Sequence, residues 1–131
     1  MTNDNEPGVV TKVSPRSVAD AVARLEELLS AKNVKLFSVI DQRAAAREAG
    51  LNLRDTMLVI FGNPAAGTPV MDAAPLSALD LPLKVLIWDD AGQTKVSYYA
   101  PATLAARHHL SADLAARLAG IDPITEALVA P

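Results

Sequence analysis

A chain of 131 residues that is 50% hydrophobic and 4% aromatic is long enough to bury one core, built mainly from Leu, Val, Ile and Ala. Its 12 Lys and Arg against 15 Asp and Glu leave a net charge of −3, which removes the basic field that nucleic acid or an anionic membrane would require. The absence of Cys excludes disulfides, thiolate nucleophiles and sulfur-ligated metal centres, and no apolar run approaches the roughly 20 residues of a spanning helix.

Met1 to Gly8 is polar and acidic without an apolar centre, so it reads as a flexible start rather than a signal peptide or anchor. A soluble, cytoplasmic protein is expected. Residues 9–131 are expected to form one domain, with 111–131 a C-terminal helical extension. Val9 to Val13 reads as a strand, and Ser14-Pro15 as an N-cap followed by proline at the first helical position. The helix that follows should reach about Lys32, because Val18, Ala21, Val22, Leu25, Leu28 and Leu29 recur at spacings of three and four. Lys35 to Ile40 is a second strand. Asp41 should cap a short helix through Ala49, closed by Gly50 in the left-handed conformation.

Thr56 to Phe61 is a continuous apolar strand, as expected of a central position or burial on both faces. From its end the segment Gly62 to Asp72, with two Gly, two Pro, Asn63 and Thr68, reads as a loop of specified shape. One or two helical turns are expected between Met71 and Leu79. Leu83 to Trp88 and Thr94 to Tyr99 then form a hairpin about Asp89-Asp90-Ala91-Gly92, where a turn accounts for the paired carboxylates. Pro101 starts a helix through about His109, Ser111 caps another that Gly120 ends, and Asp122-Pro123 begins a last short one. This order predicts an α+β fold: a mainly antiparallel sheet of about five strands, with helices packed chiefly on one face. A dinucleotide-binding fold is disfavoured, since no G-x-G-x-x-G follows the first strand.

Gly62-x4-Gly67-Thr68 has the glycine spacing of a phosphate-binding P-loop. It lacks the Lys that reaches the terminal phosphates, and Pro64 and Pro69 delete backbone donors, so nucleotide binding is not expected. His108 and His109 point about 100° apart on a helix and cannot chelate one ion as an i,i+4 pair can. A solvated pair complementing the helix dipole is their simpler reading, and no metal site is assigned. Tyr98 and Tyr99 should face opposite sides of their strand, one hydroxyl turned inward and in need of a partner. Lys84 reads either as an edge lysine deterring aggregation or as a cation at a pocket mouth. Trp88 reads as a core or dimer contact before a ligand platform.

Together Phe61-Gly62-Asn63-Pro64, Gly67-Thr68-Pro69-x-Met71, Pro75-Leu76, Asp80-Leu81-Pro82-Leu83-Lys84-Val85-Leu86-Ile87-Trp88, Ser97-Tyr98 and Leu104-Ala105-x-Arg107-His108 resemble the family known as domain of unknown function 302. The likeness runs from about Lys35 to Leu110. It implies a small α+β domain, usually soluble and often a homo-oligomer, and a homo-oligomer such as a dimer is expected for this chain. It supplies no reaction, substrate or cofactor. Such sequences commonly carry His after the Asp that ends the second strand, where this chain has Asp41-Gln42.

The expected function is a small-molecule-binding module with its pocket beside Gly62 to Met71. The expected ligand contacts are Asn63, Thr68, Met71, Lys84, Tyr98 and His108, around an anionic or apolar molecule. The alternatives are an enzyme using His108 as acid or base, with Arg107, Lys84 or Tyr98 orienting an anionic substrate, or an interaction protein that associates through its apolar C-terminal helices.

Overall fold

The computed structural model describes residues 6–131. Five strands, β1 (Val9–Ser14), β2 (Lys35–Asp41), β3 (Thr56–Gly62), β4 (Leu83–Asp90) and β5 (Gln93–Tyr99), form one sheet in the order β1-β5-β4-β3-β2. Every neighbouring pair is antiparallel, as expected. Helices α1 (Val18–Ala31), α2 (Gln42–Glu48), α3 (Pro64–Ala73), α4 (Pro101–Arg107), α5 (Ala112–Ala116) and α6 (Ile121–Val129) connect or follow the strands, and a 3-10 turn spans Pro75–Leu79. Of the expected flexible start, Met1 to Asn5 lie outside the described residues. Gly8 is held: its carbonyl accepts from the Ala100 amide and the Thr103 hydroxyl.

The alternation of side chains along each strand decides where the core sits. Val59 and Phe61 of β3, Val85 and Ile87 of β4, and Val96 and Tyr98 of β5 turn to one face, where Ala21, Leu25 and Leu29 of α1 and Ile121, Ile124 and Leu128 of α6 cover them. The apolar C-terminal residues are thus consumed within the chain. Of the two placements open to such residues, on the body of the chain or on a partner, Ile121, Ile124 and Leu128 take the first. Arg16 ties the end of α6 down by donating from Nη1 to the carbonyls of Leu128 and Ala130, both at 2.8 Å. These are the carbonyls a helix terminus leaves unpaired.

Two local expectations need revision, and a third is decided between its alternatives. The N-cap of α1 is Ser17, whose hydroxyl accepts from the Asp20 amide, while Ser14 ends β1 and accepts from the Arg16 amide instead. Lys84 lies on an internal strand, between β3 and β5, so it cannot protect an edge. Leu58 and Ile60 of β3 are half-buried while Val59 and Phe61 are fully buried, so the apolar run reflects a central strand covered by helices on one side. The caps at Asp41 and Ser111, the left-handed Gly50 and the β4–β5 hairpin are as read from the sequence.

Candidate functional site: an apolar cavity beside helix α3

The segment expected to be a loop is helix α3 from Pro64 to Ala73. Asn63 Oδ1 accepts from the Ala65 amide at 3.0 Å, and the Asn63 carbonyl takes the amides of Ala66 and Gly67. Asn followed by Pro is a start signal, since the side chain caps and the proline needs no donor at the first position. Counting Gly and Pro as loop formers overlooked that order. Pro69 lies inside the helix, and Gly67 is a helical residue, so no cradle of free amides exists and the P-loop geometry is absent.

Between α3, the end of β3, the start of β4 and the α5–α6 junction lies a cavity of about 320 Å³. Its wall is apolar: Phe37, Phe61, Pro64, Met71, Leu81 and Ile124 are representative. Two features of the strands open it. Leu36 pairs with Phe61 and Ser38 with Ile60, so Phe37 is the extra residue of a β-bulge, and a bulge re-aims the side chain it inserts. Gly62 meets Pro82 and Phe37 so closely that an added Cβ would sit 3.4 Å from the Pro82 Cβ. Among the described residues, Asn63 and Arg117 are the only polar side chains on the wall. The Asn63 amide oxygen is already committed to the cap. The Arg117 side chain makes no hydrogen bond or ion pair among the described residues.

A smaller pocket of about 250 Å³ lies on β4 and β5, lined among others by Asp80, Lys84, Leu86, Ser97, Tyr98 and Tyr99. Asp80 is fixed from behind. Arg107 Nη1 donates to both of its carboxylate oxygens at 3.0 Å, and His108 Nε2 lies 2.6 Å from Oδ2. Burial pushes the Asp80 carboxyl up, but the His108 and Arg107 hydrogen bonds and the guanidinium charge outweigh it and hold the carboxyl below its ordinary range. Arg107 also lies over the Tyr99 ring, 5.3 Å from its centre. His108 is therefore a partner of Asp80, which corrects its reading as a solvated helix-end residue; His109, with φ of 53° and an exposed ring, remains one.

The expected ligand residues thus divide. Asn63 and Met71 line the larger cavity, Lys84 and Tyr98 line the smaller one, Thr68 is exposed on α3 and lines neither, and His108 stands behind Asp80. Tyr98 is the inward tyrosine, and its hydroxyl donates to Asp122 Oδ1 at 2.6 Å. Burial and that bond to a carboxylate push its pKa above the ordinary value. Lys12 Nζ reaches Thr125 Oγ1 at 2.7 Å and Glu126 Oε1 at 3.0 Å, so β1, β5 and α6 share one polar network. The partner required by the inward hydroxyl is protein. Among the described residues no group of three or more His, Asp or Glu side chains comes together.

Phe37, Leu81, Arg117, Leu118 and Ile124 were not read as site residues. The heptad-like recurrence of Leu114, Leu118, Ile121 and Ile124 signals burial but not what it faces, and the bulge at Phe37 has no local signature. Asp80 stood within a recognised motif with no role attached to it.

The match of this chain to known proteins is consistent along its length. It is 38% identical over 131 residues to a protein of Brucella suis biovar 1 named fluoride-specific ion channel FluC 1, covering 96% of this chain and 52% of that protein. A protein of Brucella abortus biovar 1 with the same name is likewise 38% identical, with 48% of its length covered. The chain thus spans about half the length of the curated relatives it matches. A crystal structure described as an uncharacterized conserved protein DUF302 from Bacillus stearothermophilus superposes with a TM-score of 0.80 at 20% identity, covering 95% of this chain and 97% of that one. That likeness establishes the shared fold. With the family model matching residues 10–128, the chain belongs to the family described as Domain of unknown function DUF302.

Proposed function

We propose that this chain is a small-molecule-binding module whose site is the cavity between α3, the bulge at Phe37 and the α5–α6 junction. The carrying observation is the wall: a concave apolar surface of about 320 Å³ with two polar side chains at its margin. Ligand pockets combine such a surface with a few directional groups, and this volume lies at their small end. The reading keeps Asn63 and Met71 from the expected contacts and replaces Thr68, Lys84, Tyr98 and His108 with Phe37, Arg117 and Ile124.

The test uses Gly67→Leu. Gly67 is helical, has φ below zero and lines the cavity, with only Met71 Cε near an added Cβ, at 3.9 Å. Leu is favoured over Gly in a helix by nearly 1 kcal/mol, so the variant should fold while filling the cavity. In a thermal-shift screen of small apolar and amphipathic compounds, a binder at 100 times its Kd stabilises the wild type by about 2.7 kcal/mol. That shift is expected to vanish in Gly67→Leu. An unchanged shift would place the ligand elsewhere.

A second reading concerns context. The curated relatives are named fluoride-specific ion channels, and this chain corresponds to about half their length. None of its described helices is long and apolar enough to cross a membrane. We therefore propose that it corresponds to a part of such proteins that senses a ligand beside a membrane-spanning part, not to an ion path. An apolar wall cannot replace the hydration of a small anion. Sodium fluoride should thus shift the melting temperature no more than sodium chloride at equal ionic strength, and fluoride-specific stabilisation would contradict this assignment.

A further inference from the structure

We infer that the cavity beside α3 selects a small amphipathic monoanion, an apolar body carrying one carboxylate, and that Arg117 is the residue that selects it. The inference rests on the cavity being a binding site and adds the class of ligand. Three observations carry it. First, Arg117 is the only charged side chain on the wall among the described residues, so a ligand's charge has one place to be met and must be negative. Second, the Arg117 guanidinium has no hydrogen-bond or ion-pair partner among the described residues, and of the arginines it is the one that lines this wall. A planar guanidinium offers a carboxylate two parallel donors. Third, the other source of anion affinity nearby is closed: Asn63 takes up the amides of Ala65, Ala66 and Gly67 at the start of α3, so the helix N-terminus presents no free donors there.

The geometry also sets the order of the ligand. Arg117 is exposed, whereas Phe61, Leu118 and Ile121 are buried against the inner wall. The carboxylate is therefore held at the mouth and the apolar body extends inward between Phe37, Met71 and Ile124. A di-anion, or a molecule charged at both ends, would bury its second charge on an apolar surface without a partner and is excluded on that ground.

The test is a calorimetric titration of octanoate and 1-octanol into the full chain, its Arg117→Gln variant and its Gly67→Leu variant at neutral pH. Octanoate is expected to bind the wild type, at least tenfold more weakly to Arg117→Gln, and not to Gly67→Leu; octanol is expected to bind wild type and Arg117→Gln alike. If octanol binds the wild type as tightly as octanoate and Arg117→Gln changes neither, the ligand class is overturned while the cavity stands. If neither compound binds, or if Gly67→Leu leaves both unaffected, the cavity itself is not the site and both readings fall. Octanedioate supplies the remaining arm: affinity equal to octanoate would overturn the single-charge requirement.

Discussion

Asp80 shows how one residue can be placed by chemistry that its sequence neighbours do not reveal. It follows the 3-10 turn, yet its partners Arg107 and His108 come from the end of α4. Asp80→Asn would leave the half-buried His108 ring, whose one hydrogen-bond partner among the described residues is that carboxylate, with a neutral partner. A loss of about 2 kcal/mol is expected from hydrogen bonds to a charged group, read by urea denaturation. The pH dependence has a definite sign: the folded carboxyl lies below its ordinary value, so its stabilisation is present above the unfolded pKa near 3.8 and lost as pH falls through the folded one. Wild type should lose stability on that acid limb and Asp80→Asn should lack this component. Tyr98 and Lys12 are both raised, so their contribution is present below their unfolded values, near 10.0 and 10.5, and is lost as pH rises through the folded ones. Asn63 and Thr68 make a contrasting pair. Asn63→Ala should cost about 1 kcal/mol through loss of the α3 cap, while Thr68→Ala, on an exposed hydroxyl, should change neither stability nor ligand affinity.

At the scale of elements, α6 joins the core to the cavity wall. Leu128 and Ile121 are almost completely buried against α1 and the sheet, and Ile121 and Ile124 also face the cavity. Leu128→Ala should destabilise by about 2–5 kcal/mol, the range for a buried Leu truncated in a core that cannot fully collapse. Thermal or chemical unfolding measures it, and a loss well under 1 kcal/mol would mean that α6 is loosely docked. The strands, the hairpin and the caps of α2 and α5 were legible in the sequence because period, turn residues and capping residues all act locally. Helix α3 was not, because Gly67 and Pro69 suggest a loop when their position after an Asn-Pro start is ignored. The bulge at Phe37 was hidden for a different reason: register is fixed by the partner strand, and β3 is many residues away.

At the scale of the whole molecule, the family and the α+β fold were readable because ordered motifs and local periodicity agree along most of the chain. The site was readable only in part. Asn63 and Met71 line the cavity, but Lys84 and Tyr98 line the smaller pocket, and His108, just after α4, stands against Asp80; which wall a residue reaches is set by how distant elements pack, not by spacing along its own element. Arg117, at the end of α5, and Ile124 of α6 line the cavity only because the α5–α6 junction folds back beside the end of β3, a long-range event that no spacing in the sequence encodes. The proposed function requires the cavity to take up a ligand from solution. The direct measurement is an amide chemical-shift map of the isotopically labelled chain titrated with octanoate. The largest changes are predicted at Gly62, Gly67, Leu118, Gly120 and Ile121, which surround the cavity; changes centred instead on Lys84, Leu86 and Ser97 of the smaller pocket, or no saturable change at all, would contradict the account.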